Sequence, residues 1–260
     1  MNCSKIKINK NVEKPLISII TVVLNNEKYI QKTLDSIFKQ TYKNYELIVI
    51  DGGSEDNTLN IIKKNRKKIN FWISEKDKGI YDAFNKGLKY ASGDYIGFVN
   101  SDDILLPNTI KILTKYIRLH PEKDFFFGAV KKHWGVLHGY KPWKIYFSWG
   151  FYSSHSTGFF IKSSSAKKVG KYNLKYKYSA DYDYFYRMIV KKKMKGIGTK
   201  EKEVFGIFRR GGYSSTISFK EHFKEEIQIR RDNGQSFLIL AIIIIYKSIK
   251  NFKRLIFLKN

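Results

Sequence analysis

Apolar runs of strand length alternate with helical periodicity through the first hundred residues. "LISIITVV" (16–23) is a β-branched apolar run, and "NEKYIQKTLDSIFKQ" (26–40) follows it with Ile30, Leu34, Ile37 and Phe38 on one helical face. Glu27 stands in the first turn of that segment, where the helix dipole favours an acid. "YELIVID" (45–51) predicts a second strand, Thr58 to Lys64 a helix, "INFWISE" (69–75) a third strand, "YDAFNKGLKYA" (81–91) a helix and "YIGFV" (95–99) a fourth strand. These strands are apolar throughout rather than alternating. Strands buried on both faces and joined by helices predict an α/β fold with a mostly parallel sheet. From about residue 121 the pattern loosens. "FFFGAV" (125–130) reads as a further strand, 131–160 is rich in aromatics and glycine without a clean period, and a helix begins near "SADYDYFYRMIV" (179–190).

Open α/β sheets bind ligands beyond the carboxyl ends of their strands. Polar residues gather there in this chain: Asn25 and Asn26 after the first strand, Asp51 ending the second, and Asn100-Ser101-Asp102-Asp103 after the fourth. Adjacent carboxylates repel one another, so the Asp102-Asp103 pair calls for compensation. A hard divalent cation held by one or two carboxylates, with substrate phosphates completing its shell, would supply it. The plainer reading is a solvated turn with Asp103 capping a helix that starts near Pro107. In "VIDGGSEDNT" (49–58), Asp51 precedes a Gly-Gly turn that lets a ligand approach, while Ser54 or Asp56 suits a helix cap. No phosphate-cradling P-loop is present, and no G-x-G-x-x-G follows the first strand.

"SIITVVLNNEKYIQKTLDSIFKQTYKNYELIVIDGGSEDNT" together with "SEKDKGIYDAFNKGLKYASGDYIGFVNSDD" resembles the nucleotide-diphospho-sugar glycosyltransferases of family 2. The pattern is nearest to bacterial polysaccharide-building members of the colanic acid type. The likeness is strong over 16–120 and looser through "HSTGFFIKSSSAKKVGKYNLKYKYSADYDYFYRM" and "FRRGGYSS". It implies a GT-A (Rossmann-like) fold, a nucleotide-sugar donor, a divalent metal (Mn²⁺ or Mg²⁺) and inversion at the anomeric carbon. It implies that Asp51 contacts the nucleoside, that Asp102 lies near ribose and diphosphate, and that Asp103 ligates the metal. The first motif position is Asn100 rather than Asp, one negative charge fewer. Asn25, Glu27, Asp77, Lys78, Tyr81, Asp82 and Asn85 join the donor-binding candidates. An inverting transfer needs a general base. Asp181 matches the family's base and Asp183 is the alternative, two residues on and so on another side of the helix. His155, Arg209 and Arg210 are candidates for diphosphate or acceptor contact; the plain alternatives are a structural histidine and a basic turn.

Charge adds a second axis. The formal net charge is +26, with 20 basic and 13 acidic side chains in residues 1–120 against 29 and 10 in 121–260. An excess of that size suits an anionic partner, or reflects a lysine-rich composition. Nucleic acid is not the expected partner, because carboxylates ordered along the strand ends would repel phosphates unless a metal intervened. The single cysteine, Cys3, excludes an intrachain disulfide and suits a reducing compartment, and the polar N-terminus has no apolar signal core. In "SFLILAIIIIYKSIKNFKRLIFLKN" (236–260) the uninterrupted apolar run spans only about 15 Å as helix, too short to cross a bilayer. Ile249, Phe252 and Ile256 then recur at helical spacing between Lys250, Lys253 and Arg254. That is the pattern of an amphipathic helix lying on an anionic membrane surface, or of one packed on the protein itself. The expected organisation is a polar extension (1–15), a nucleotide-sugar-binding part (16–120), an acceptor-side part of the same domain (121–235) and the tail (236–260). The expected location is cytoplasmic, at the inner face of the cell membrane, with a saccharide or lipid-linked saccharide as acceptor. The other readings are a basic nucleic-acid-binding protein and a non-catalytic sugar-nucleotide-binding protein of the same fold.

Overall fold

The computed structural model describes residues 14–147, 152–209, 211 and 217–252. Cys3, Arg210 and the tail positions Lys253, Arg254 and Ile256 lie outside the described residues. The first hundred residues form β1 (Ile17–Val23), α1 (Ile30–Phe38), β2 (Tyr45–Asp51), α2 (Thr58–Asn65), β3 (Phe71–Ser74), α3 (Ile80–Tyr90) and β4 (Tyr95–Phe98). β1 pairs in parallel with both β2 and β4, and β2 in parallel with β3. Every residue of β1 is buried, as its apolar run predicts. The sheet has two packed faces. Ile20, Val22, Ile48, Ile50 and Phe98 meet Tyr81 and Phe84 of α3 on one of them. Ile17, Ile19, Leu47 and Val49 meet Ile30, Leu34 and Ile37 of α1 on the other. α1 starts later than its periodicity suggests because Asn25 takes a left-handed backbone (φ 46°), and the chain turns through Asn26–Tyr29 before the helix closes.

The second half follows as β5 (Ile104–Leu105), α4 (Thr109–Leu119), β6 (Phe125–Phe127), β7 (Ala129–Lys132), β8 (Gly135–Leu137), β9 (Phe159–Lys162), α5 (Ser163–Val169), α6 (Ala180–Tyr186), β10 (Gly196–Gly198), β11 (Val204–Ile207), α7 (Phe219–Asp232) and α8 (Phe237–Lys250). The main sheet has the order β10-β6-β9-β4-β1-β2-β3, with β9 antiparallel to both β4 and β6. β9 lies against β4 because Gly97 leaves room: a Cβ there would sit 2.2 Å from the Phe160 ring.

The expected single strand 125–130 is two strands in two sheets. β6 belongs to the main sheet and β7 to a smaller one of order β5-β11-β7-β8. The break falls at Gly128, whose hydrogen faces the Phe205 ring at a separation (2.0 Å to a built Cβ) that no side chain would tolerate. The small sheet stands beyond the end of β4, so the Asn100–Asp103 turn runs from one sheet into the other.

α7 and α8 close the structure. Glu226 and Arg230 of α7 are buried as an ion pair at 2.9 Å, and Lys247 of α8 reaches the other Glu226 oxygen at 2.5 Å. Arg230 also donates to the Tyr146 carbonyl and to Gln235, and lies over the Tyr182 ring. A buried charge survives only when its hydrogen-bonding capacity is met, and this network meets it while fastening α8 to α7.

Candidate active site

The residues picked out at the strand ends do converge, and each is held by its own local chemistry. Asp51 is fully buried, and its carboxylate accepts from the Ser54 and Ser74 hydroxyls at 2.5 and 2.6 Å and from the Ser54 N–H. Gly52 lets Asp77 come alongside, since a Cβ there would meet the Asp77 carboxylate at 2.4 Å. Burial raises the Asp77 pKa, and the charges of Asp82 and Asp51 add to it, while the Gly79 N–H and Lys86 oppose them. Asn25 accepts from the Glu55 N–H, and Glu27 accepts from the Asn57 N–H at the start of α2. One oxygen of the exposed Glu27 thus secures the neighbouring helix. Lys78 is exposed, with its N–H donating to Asp82 at 3.0 Å. Asn85 grips the Tyr172 backbone with both ends of its amide, at 2.8 and 2.9 Å.

Asp102 and Asp103 face different surroundings. Asp102 is partly exposed and pairs with Arg209, whose Nη2 and Nε lie 3.1 and 3.3 Å from Oδ2. Asp103 is 1% exposed. Its Oδ1 accepts the Arg209 N–H at 3.0 Å, and its Oδ2 has no partner among the described residues. Burial above all pushes its pKa up to about 7, and the Asp102 charge adds to the rise. The Ser156 hydroxyl, the Arg209 N–H and the Lys132 charge pull the other way. Ser156 stands near Asp103 without bonding Oδ2; its oxygen accepts the Asn100 N–H. Asn100 Oδ1 is a second buried oxygen without a partner among the described residues. The compensation that the paired acids call for thus comes, in this structure, from Arg209. The β5–β11 register explains the meeting: Ile207 pairs antiparallel with Ile104, so two residues further along Arg209 lies opposite Asp102. Arg209 also stacks over the Tyr29 ring, its guanidinium carbon 4.0 Å from the centroid.

The Asn100 amide oxygen and the Asp102 and Asp103 carboxylates supply oxygen donors alone, the chemistry that suits a hard divalent cation. Among the described residues no cluster of three or more His, Cys, Asp or Glu could enclose a metal. A cation here would therefore leave coordination positions to water or to a ligand's phosphates.

Asp181 lies in the first turn of α6, across from α3. Its Oδ1 accepts from the Tyr81 hydroxyl at 3.0 Å and from the Tyr182 N–H at 2.9 Å. No donor among the described residues reaches its Oδ2. Burial raises its pKa, against the lowering effects of Tyr81, Tyr182 and the nearby His222. The Tyr81 hydroxyl thus ties α3 to Asp181 and to the Tyr178 carbonyl. Asp183 is buried and engaged elsewhere, with Arg187 on Oδ2 at 2.8 Å and Asn233 on Oδ1 at 3.0 Å. His155 sits in the aromatic core, stacked on Phe98 at 4.8 Å and bonded through Nε2 to the Tyr172 hydroxyl at 2.7 Å. Burial lowers its pKa to about 3, so it is neutral. Tyr29, Lys132, Ser156 and His222 complete these surroundings and carry no motif by which sequence reading finds them.

The model of Glycosyl transferase family 2 matches residues 18–192. A PGL/p-HBAD biosynthesis glycosyltransferase of Mycobacterium bovis is 30% identical over 224 residues, 81% of this chain and 83% of that protein. An uncharacterized glycosyltransferase of Rickettsia typhi is 29% identical over 195 residues, and this chain spans 61% of its length. Among solved structures, S. aureus TarS 1-349 in complex with UDP-GlcNAc superposes with a TM-score of 0.68 at 20% identity, covering 93% of this chain and 76% of that one. Mannosyltransferase PcManGT from Pyrobaculum calidifontis, in complex with GDP-Man and Mn²⁺, superposes at 0.64 with 15% identity, covering 93% and 71%. At these identities the structural likeness is one of fold, the GT-A arrangement.

Proposed function

The chain belongs to glycosyl transferase family 2, and from that premise we propose that it moves a sugar, with inversion, from a nucleotide-diphospho-sugar to a hydroxyl of a saccharide or lipid-linked saccharide. The observation that carries the proposal is Asp181. It is a carboxylate with a raised pKa, one oxygen held by Tyr81 and Tyr182 and the other reached by no donor among the described residues, at the start of a helix that α3 joins to the donor edge. A base must hold one oxygen steady and leave the other for the proton, and a raised pKa improves its affinity for that proton.

Asp51 and Asp77, beside the glycine turn, would receive the nucleoside, Asp51 exchanging a Ser54 or Ser74 bond for one to the ligand. The strand-end oxygens of Asn100, Asp102 and Asp103 would hold a divalent cation, Mn²⁺ or Mg²⁺, which when bound neutralises charge on the departing diphosphate. Asp181 Oδ2 takes the proton of the acceptor hydroxyl as that oxygen attacks the anomeric carbon, and Tyr81 keeps the carboxylate oriented. The relatives support a UDP- or GDP-linked donor: TarS was solved with UDP-GlcNAc and PcManGT with GDP-Man. UDP is our first choice, and the proposed setting is assembly of a bacterial surface polysaccharide such as lipopolysaccharide.

We further propose peripheral attachment to the inner, anionic membrane surface through α8. No helix among the described residues is long and apolar enough to cross a membrane. α8 turns Leu240, Ile243 and Lys247 inward and leaves Phe237 (84% exposed), Leu238, Ile242, Ile245 and Ile249 (74%) outward, and Phe252 just beyond it is exposed as well. Its 14 residues measure about 21 Å, and the Lys247–Glu226 contact ties it along the body, the posture of a helix seated in an interface.

Calorimetric titration of UDP and GDP, with Mn²⁺ and with chelator, tests the donor site on the wild type and Asp103→Ala. Binding that needs both metal and Asp103 supports the proposal; absence of metal-dependent binding of either nucleotide refutes it. Sedimentation with phosphatidylglycerol vesicles, for wild type and Ile242→Glu/Ile249→Glu, tests the membrane seat; equal sedimentation of both would sink it.

A further inference from the structure

We infer that Arg209 is a stand-in cation, occupying the Asp102-Asp103 end of the site when no donor is bound and giving up Asp102 when a metal-nucleotide complex arrives. The inference rests on the donor-site reading above. Three contacts carry it. The guanidinium closes on Asp102 through both Nε and Nη2. The backbone N–H of the same residue takes Asp103 Oδ1. The face of the guanidinium rests on the Tyr29 ring at 4.0 Å.

Charge bookkeeping suggests why one arginine suffices. With Asn100 in the first motif position, the turn between β4 and β5 carries two acids, and Asp103 is turned into the protein. The outward-facing charge is that of Asp102 alone, and a guanidinium stays protonated at any working pH. The contact remains displaceable because the Arg209 side chain is 32% exposed, and partly exposed ion pairs contribute little net free energy. Tyr29 adds a half-buried aromatic platform that parks the side chain. The two contacts differ in what displacement requires. Releasing Asp102 needs only rotation of a side chain, whereas the N–H bond to Asp103 is fixed by β11 pairing with β5. Arg209 can therefore leave Asp102 to an incoming cation while the strand continues to hold Asp103 in place.

A stand-in cation competes with a real one. Mn²⁺ binding to the full chain without nucleotide, followed by the electron paramagnetic resonance signal of free Mn²⁺, should be about three- to tenfold tighter in Arg209→Ala than in wild type. Tyr29→Leu, which removes the platform and leaves every acid in place, should shift affinity the same way by less. Should Arg209→Ala fail to fold, Tyr29→Leu decides alone. Affinity unchanged or weakened in the folded variants, including no Mn²⁺ binding by any of them, overturns the inference. UDP binding by the wild type with Mn²⁺ is read in parallel. If it is present while Mn²⁺ affinity is insensitive to both substitutions, the stand-in role falls and the donor site stands. If no nucleotide binds, the donor site falls, and the Mn²⁺ series still decides whether Arg209 competes with a cation.

Discussion

Lowering the pH from 7 to 5 is expected to withdraw about 2 kcal/mol of folding free energy through His155 alone. The imidazole is buried among Phe84, Phe98, Phe159 and Phe185, with the Tyr172 hydroxyl as its hydrogen-bond partner. Burial lowers its pKa from 6.5 to about 3. Between those values the unfolded chain binds a proton that the folded chain refuses, so stability falls as the pH falls through this window. At pH 7 the effect is nearly absent; at pH 5, about 1.5 below the unfolded value, it reaches about 2 kcal/mol. Asp103, pushed up to about 7, works in the opposite sense, because its folded form takes a proton before its unfolded form does. Asp181, also raised, acts likewise. Both carboxyls contribute equally to wild type and to His155→Gln, a neutral variant that keeps a polar group for Tyr172. Urea unfolding followed by tryptophan fluorescence at pH 7 and pH 5 gives the four free energies by linear extrapolation. The wild type should lose about 2 kcal/mol more than His155→Gln across the interval. Equal losses would refute the reasoning and mean that the ring is hydrated or shifted on protonation.

Three further outcomes follow from the geometry. Tyr81→Phe removes a hydrogen bond that lowers the Asp181 pKa, so the acidic limb of the kcat/KM profile should move to higher pH. Asp181→Asn should cut transfer by about 100- to 10,000-fold without weakening nucleotide binding, measured by product formation and calorimetry. Arg230→Met removes both guanidinium bonds from the buried Glu226 Oε1 and should cost about 3–5 kcal/mol in urea unfolding.

The sequence announced the strands β1 to β4 and the helices between them because a strand buried on both faces must be apolar at every position, and that pattern is local. The same logic placed Asp51, Asp102 and Asp103 at strand ends, and the family resemblance pointed to Asp181 as the proposed base. It did not reveal which side chains were already engaged. Glu27 serves the start of α2, Asn85 the Tyr172 backbone and Asp183 Arg187. The first two contacts join residues distant in the chain, whose relation is set by packing; the third is an i,i+4 pair whose burial, not its spacing, came from the fold. Nor did it reveal that 125–130 divides between two sheets, since the run is apolar on both sides of Gly128 and the cause is a ring contributed from Phe205.

What the sequence determined alone is therefore the parallel half of the sheet, the edge on which polar chemistry gathers, and the family. Tertiary structure alone decided what meets the paired acids. The Arg209 guanidinium reaches Asp102 because β11 crosses back to pair with β5 in a register that sets position 209 opposite 102. Periodicity records how deeply each element is buried. It carries no information about which strand edges will share hydrogen bonds across a hundred residues of chain, and that pairing is what brings the cation to the carboxylates.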